Sequence, residues 1–143
     1  MTDKLSYYIS QIRKIRRAQY LGHWINAKLF LLLSVLDLID EGIVRDNKFQ
    51  LTDDFIDAYK QNSTTFLSNS YDITPIWKPF YFFASDGIWK IIWVDEKRKI
   101  SSVKSIKQYI SYASLEEDFW LLLQNETNRL FIKEEIISII ENN

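Results

Sequence analysis

Residues 78–89, KPFYFFASDGIW, carry the strongest structural signal in the sequence. The aromatic residues over Phe80–Ala84 favour a β-strand. Ser85-Asp86-Gly87 follows as a tight turn, in which the glycine adopts a positive φ angle. A second apolar segment, Ile88–Val94, then continues the chain. These residues predict a β-hairpin near the middle of the sequence.

Segments with helical periodicity lie on both sides of this hairpin. The pattern predicts helices over Leu5–Ala18, Ala27–Glu41, Thr52-Asp53-Asp54 to about Gln61, Val103–Ile110, Leu115–Gln124 and about Asn128–Ile140. Lys48–Leu51 is predicted as a short strand and Asn62–Pro75 as a loop. The segment Ala27–Glu41 is apolar on nearly all sides, which is typical of a buried helix, and Gly42 is a suitable C-terminal stop.

This order of elements predicts an α+β fold that is mostly helical. A central buried helix packs on a small antiparallel sheet or hairpin, and further helices follow at the C-terminus. With 143 residues, the chain is expected to form one domain, residues 1–143, with one core. Trp89, Trp93 and Trp120 are expected to belong to that core.

The composition argues against several classes of enzyme and cofactor protein. There is no cysteine and only one histidine, His23. Disulfides, thiolate metal sites and multi-histidine metal sites are therefore not expected. The sequence has no glycine-rich phosphate loop. We expect no metal, no cofactor and no catalytic activity. No secretory signal or membrane span is recognised, so we expect a cytoplasmic protein without a membrane partner.

Positive charge is unevenly distributed although the formal net charge is −1. Residues 1–29 contain six basic residues against the single acid Asp3, and a second basic segment runs from Lys78 to Lys107. Such segregation can place one positive face on a weakly acidic protein, as binding to a phosphate backbone requires. Solvated helix faces are the alternative interpretation of the same charges.

Three blocks in sequence order resemble one protein family. They are Lys28–Gly42 (KLFLLLSVLDLIDEG), Pro79–Trp89, and Tyr112–Leu115 followed by Phe119–Leu123. Together they resemble the N-terminal half of bacterial HNH restriction endonucleases, which includes sulfur-binding domains that recognise phosphorothioate-modified DNA. The resemblance runs along nearly the whole chain. It implies a DNA-recognition domain, with no nuclease segment within residues 1–143.

The resemblance also implies a binding surface. In the family, a basic residue at the start of the central helix lies with a Tyr-Pro pair and a small residue three positions after the proline. Lys28 and Pro79 correspond to the basic residue and the proline, whereas Lys78 replaces the tyrosine and Phe82 the small residue. The family's His-Lys/Arg-Pro motif corresponds to Ala27-Lys28-Leu29 here. The sulfur of a phosphorothioate is more weakly hydrated than a phosphate oxygen. A concave apolar surface surrounded by cations therefore binds the sulfur in preference to the oxygen.

The sequence therefore leads to the hypothesis of a non-catalytic module that binds duplex DNA, either plain or phosphorothioate-modified. The expected DNA-binding residues are Arg13, Arg16, Arg17, His23, Lys28, Lys78, Pro79, Phe82 and Lys104. The hypothesis requires Lys28 and Lys78-Pro79 to meet at one cationic rim. Within a restriction system, a nuclease or another defence subunit is an additional expected partner.

The alternative is a protein–protein interaction subunit of a defence or regulatory system that kept the fold and lost DNA binding. The sequence leaves open the base preference, the oligomeric state, and whether the chain is a natural single domain or a fragment of a longer nuclease.

Overall fold

A computed structural model describes residues 3–67 and 73–142, and these form an α+β fold. The helices are α1 (Asp3–Arg13), α2 (Ala27–Asp40), α3 (Asp53–Phe66), α4 (Trp77–Phe82), α5 (Val103–Tyr109), α6 (Glu117–Leu122) and α7 (Glu126–Glu141). The strands are β1 (Gln19–Tyr20), β2 (His23–Trp24), β3 (Trp89–Trp93) and β4 (Ile110–Leu115). The predicted fold class is confirmed.

Helix α2 forms the centre of the molecule, as predicted. Eleven of its 14 residues are buried, and it packs against α3, α4 and α7. Gly42 follows the helix with φ +71°, a left-handed conformation that glycine adopts without steric cost. The next helix begins where the sequence predicts, because the Thr52 side chain accepts a hydrogen bond from the Phe55 amide at 3.2 Å.

The predicted first strand of the hairpin, Phe80–Ala84, is wrong. These residues belong to α4 and to a 3₁₀ turn, Phe83–Asp86. Pro79 is compatible with the helix because it lies in the first turn, where the backbone has no intrahelical N–H bond to lose. Phe80 and Phe83 are buried while Phe82 is 53% exposed, so the buried positions are three apart, as in a helix.

The second predicted strand is confirmed as β3, but it has a different partner. It pairs antiparallel with β4, which lies inside the region predicted as the junction of two helices. The predicted strand Lys48–Leu51 is reduced to one bridge, in which Phe49 and Ala113 exchange two backbone hydrogen bonds of 2.7 and 2.8 Å. Gly87 takes its predicted positive φ, +87°, but it ends the 3₁₀ turn instead of closing a hairpin.

Other predicted boundaries also need correction. Helix α1 ends at Arg13, earlier than the predicted Ala18, and β1 and β2 form a small hairpin between the first two predicted helices. The predicted loop Asn62–Pro75 begins too early, since α3 continues to Phe66. Residues 68–72 of that predicted loop lie outside the described part of the chain.

Aromatic side chains join the sheet to the helices. Trp89 is 2% exposed, contacts Phe49, Phe80 and Phe83, and donates its indole N–H to the Phe80 carbonyl at 2.8 Å. Trp120 is also buried, whereas Trp93 is only partly buried. Trp89 and Trp120 therefore lie in the core as predicted. Within residues 3–67 and 73–142, none of the helices combines the length and the apolar character needed to cross a membrane.

Candidate functional site

A shallow depression of about 120 Å³ lies where the segment after α1, the start of α2 and helix α4 meet. We call it the cationic depression. It is lined by Arg16, Arg17, Ala18, Ile25, Ala27, Lys28, Thr74, Lys78, Pro79 and Phe82. Lys28 and Lys78-Pro79 therefore do meet, although they are 50 residues apart in sequence. Six of the nine residues predicted to bind DNA are in this set.

The lining combines four cations with an apolar surface. Arg16, Arg17, Lys28 and Lys78 supply the positive charges, and alanine, isoleucine, proline and phenylalanine side chains supply most of the rest. Pro79 is buried, although it is one of the residues that line the depression. Phe82 lines the depression and is half exposed. Its side chain leaves the depression open to solvent.

Asp86 holds two of these cations in place. Its side chain is only 4% exposed and lies 2.7 Å from the Lys28 ammonium group. The same carboxylate accepts a 2.9 Å hydrogen bond from the Arg16 backbone amide. The Arg16 guanidinium group donates to the Ser85 carbonyl at 2.6 Å, which attaches the segment after α1 to the 3₁₀ turn. Asp86 neutralises the charge of one of the four rim cations, so the depression keeps a net positive charge.

Arg17 connects the depression to the hairpin β1–β2. It donates to the Asn26 side-chain oxygen at 2.9 Å, and its guanidinium carbon lies 4.8 Å from the centre of the Trp24 ring. Asn26 is the N-cap residue of α2, yet its side chain makes no capping bond and is used for Arg17 instead. Burial lowers the pKa of Arg17 from its ordinary value because desolvation disfavours the charged form. Arginine nevertheless stays protonated at neutral pH.

Lys78 is exposed, and among the ion pairs formed within residues 3–67 and 73–142 none involves it. Its ammonium group lies 5.7 Å from the centre of the Trp77 ring, a distance at which a cation is attracted to the aromatic face. Of the four rim cations, Lys78 is therefore well placed to accept an external anion without breaking an internal ion pair.

Three of the predicted DNA-binding residues are not in the cationic depression. His23 is exposed in β2 and lines a neighbouring pocket. Arg13 is paired with Glu135 of α7 at 2.5 Å, and Lys104 is an exposed residue of α5. Arg13 and Lys104 are therefore not among the residues that line the cationic depression.

The sequence alone missed Asp86 and Asn26 as parts of this site. Asp86 was assigned to a hairpin turn, but it contacts residues 58 and 70 positions away. Asn26 was not singled out. An asparagine before an apolar helix suggests a cap, and nothing local indicates that it pairs with an arginine.

The arrangement is suited to binding an anion that also presents weakly hydrated surface. Helix α2 begins at Ala27, which lines the depression. The partial positive charge at the N-terminal end of the helix therefore adds to the positive potential of the depression. Asp86 is engaged by Lys28 and Arg16, so this carboxylate is not available as a free general base. In comparisons with known proteins, no family model and no curated protein matches this sequence.

Proposed function

We propose that the protein is a non-catalytic module that binds duplex DNA through the phosphate backbone at the cationic depression. The observation that carries this proposal is the meeting of Lys28 and Lys78 at one rim with Arg16 and Arg17. A cluster of lysine and arginine side chains of this kind can bind the phosphates of a DNA backbone. Such phosphate contacts supply most of the affinity in non-specific DNA binding. As part of the same proposal, the module acts in the cytoplasm with a nuclease or another defence subunit.

Phosphorothioate DNA is the finer form of this proposal. The apolar part of the depression, which includes Ile25, Pro79 and Phe82, offers a sulfur atom contacts that a strongly hydrated oxygen does not favour. The resemblance to sulfur-binding domains of HNH endonucleases supports the same preference, while Phe82 narrows the space in which the sulfur is accommodated.

The test is equilibrium binding of labelled plain and phosphorothioate duplexes at several salt concentrations. We expect the logarithm of the association constant to fall linearly with the logarithm of salt concentration, by a slope of about −0.9 for each phosphate neutralised. Lys78→Ala is expected to weaken binding to both duplexes and to reduce the slope by about 0.9. Lys104→Ala is the matched control, because it removes an exposed lysine outside the depression.

Salt-insensitive or absent binding to both duplexes would contradict DNA binding altogether. Equal losses in Lys78→Ala and Lys104→Ala would show that binding is spread over the surface and does not depend on the depression. A preference for the modified duplex that disappears in Phe82→Ala or Lys28→Ala would support sulfur recognition.

A protein–protein interaction subunit is the second candidate. Leu130 and Phe131 of α7 are 55% and 43% exposed, and Leu121 of α6 is 58% exposed. Large apolar side chains of this kind favour a partner protein when they form one continuous patch. This candidate predicts that the protein shows no salt-dependent binding to either duplex, and that Leu130→Asp abolishes association with a partner protein.

A further inference from the structure

A second pocket, of about 370 Å³, lies beside the cationic depression. We call it the aromatic pocket. Its lining includes four ring side chains, Tyr20, His23, Trp24 and Phe66, together with Glu141. Ile25 lines both the aromatic pocket and the cationic depression, so the two are direct neighbours.

The two neighbouring sites differ in charge. The depression has four cations, whereas the pocket has neutral or weakly basic rings and a carboxylate. An anion is therefore favoured in the depression and disfavoured in the pocket. A nucleotide has this same polarity, since its phosphate is anionic and its base is a flat, neutral ring.

Arg17 fixes the relation between the two sites. Its guanidinium group faces the Trp24 ring at 4.8 Å while the residue lines the depression. A strand whose phosphate contacts Arg17 is thus brought to the edge of the aromatic pocket. An unpaired base can stack on aromatic side chains such as those of the pocket, whereas a base inside a duplex cannot.

We propose, resting on the proposed DNA binding, that the aromatic pocket takes one unpaired base next to the bound phosphate. The preferred bases are those with an exocyclic amine, because the Glu141 carboxylate accepts hydrogen bonds and cytosine N4 is a donor. The ligand class is therefore DNA that contains an extrahelical or single-stranded nucleotide.

Duplexes that differ only in one unpaired nucleotide provide the test. We expect a duplex with a bulged cytosine to bind at least about fivefold more tightly than the perfectly paired duplex, which corresponds to about 1 kcal/mol for one stacked base. A bulged thymine is expected to gain less, and Glu141→Gln should reduce that difference. An abasic bulge should lose the advantage.

Tyr20→Ala is the main variant, since this side chain is 53% exposed and forms part of the pocket. We expect it to reduce the bulge advantage while leaving affinity for the paired duplex unchanged. Tyr7→Ala is the matched control, because Tyr7 is 52% exposed on α1 and lines neither site. Trp24→Ala is expected to remove the advantage and also weaken both duplexes, because Arg17 loses its ring contact.

The outcomes separate the two proposals. Equal affinity for the bulged and paired duplexes, with normal salt dependence, would overturn the base-binding inference alone. An advantage that survives both Tyr20→Ala and Trp24→Ala would overturn it as well. No salt-dependent binding to any of these DNAs would overturn the proposed function and this inference together. Urea unfolding of each variant checks that the fold is retained.

Discussion

Replacement of Asp86 by asparagine is expected to destabilise the protein and to strengthen its binding to DNA. The substitution keeps the size of the side chain and an oxygen that can accept from the Arg16 amide, but it removes the charge opposite Lys28. In the wild-type protein the Asp86 side chain is 4% exposed and the Lys28 side chain is 16% exposed, and the Lys28 Nζ and Asp86 Oδ2 atoms are 2.7 Å apart.

The size of the effect follows from this geometry. At an effective dielectric constant of about 20, two unit charges at this distance attract by about 6 kcal/mol, and the cost of desolvating both groups offsets much of that. Breaking a fully buried pair costs about 3–5 kcal/mol. Since Lys28 borders the open depression, water reaches it more easily, and we expect a loss of about 2 kcal/mol in the free energy of unfolding.

Binding should change in the opposite direction. With its internal partner removed, Lys28 becomes available to a phosphate, so the salt slope should steepen by up to about 0.9. Urea unfolding followed by tryptophan fluorescence measures the stability, and labelled duplexes measure the affinity. Glu96→Gln is the control, because Glu96 pairs with Arg98 at the surface with both side chains more than half exposed. Its effect should stay below about 0.5 kcal/mol.

A free energy of unfolding that is unchanged in Asp86→Asn, within about 0.5 kcal/mol, would refute the idea that this pair stabilises the fold. A loss of stability accompanied by weaker DNA binding would refute the competition between Asp86 and phosphate, and would instead indicate that Asp86 orients Lys28. A double-mutant cycle with Lys28→Met separates the coupling of the pair from the effect of each side chain.

Three further predictions concern stability. Burial raises the pKa of Tyr59 above its ordinary value of 10.0, so its stabilising contribution is present below about pH 10 and is lost as the pH rises towards the folded-state pKa. Tyr59→Phe should therefore show a shallower loss of stability above pH 10 in urea titrations, and an identical slope would contradict the assignment. Thr52→Ala removes the N-cap bond of α3 and should cost about 1 kcal/mol, whereas Thr52→Ser should cost much less. Trp89→Phe leaves the buried Phe80 carbonyl without its indole donor and should lower the free energy of unfolding by about 1–3 kcal/mol. Wild-type stability in this variant would contradict the prediction.

Sequence patterns predicted the fold class and most of the helices because those signals are local. Helix α2 is apolar on nearly every side, and Thr52 and Gly42 are typical boundary residues. Helix α4 was mistaken for a strand because a run of aromatic residues favours β structure by propensity, while its packing follows a three-residue spacing. Strand β4 was missed because its hydrogen-bonding partners, β3 and Phe49, are distant in sequence.

The meeting of Lys28 with Lys78-Pro79 was anticipated from a family resemblance, not from any periodicity in the sequence. The side chains that hold the rim cations in place could not be anticipated in the same way. Asp86 acts through contacts with residues far away in the chain, and Arg17 contacts the Trp24 ring of the following hairpin and the Asn26 amide at the start of α2. Such contacts depend on how the elements pack, and a local pattern does not contain that information.

Lys28 is the second residue of α2, a helix whose body is the innermost part of the molecule. Its backbone continues into the body of α2, which packs against α3, α4 and α7, and separating these helices would approach global unfolding. We infer that amide hydrogens in the body of α2 exchange very slowly, and that this half of the binding rim is preorganised. Ligands then lose little entropy in ordering it, and any adjustment on binding falls to the Arg16–Arg17 segment and the β1–β2 hairpin.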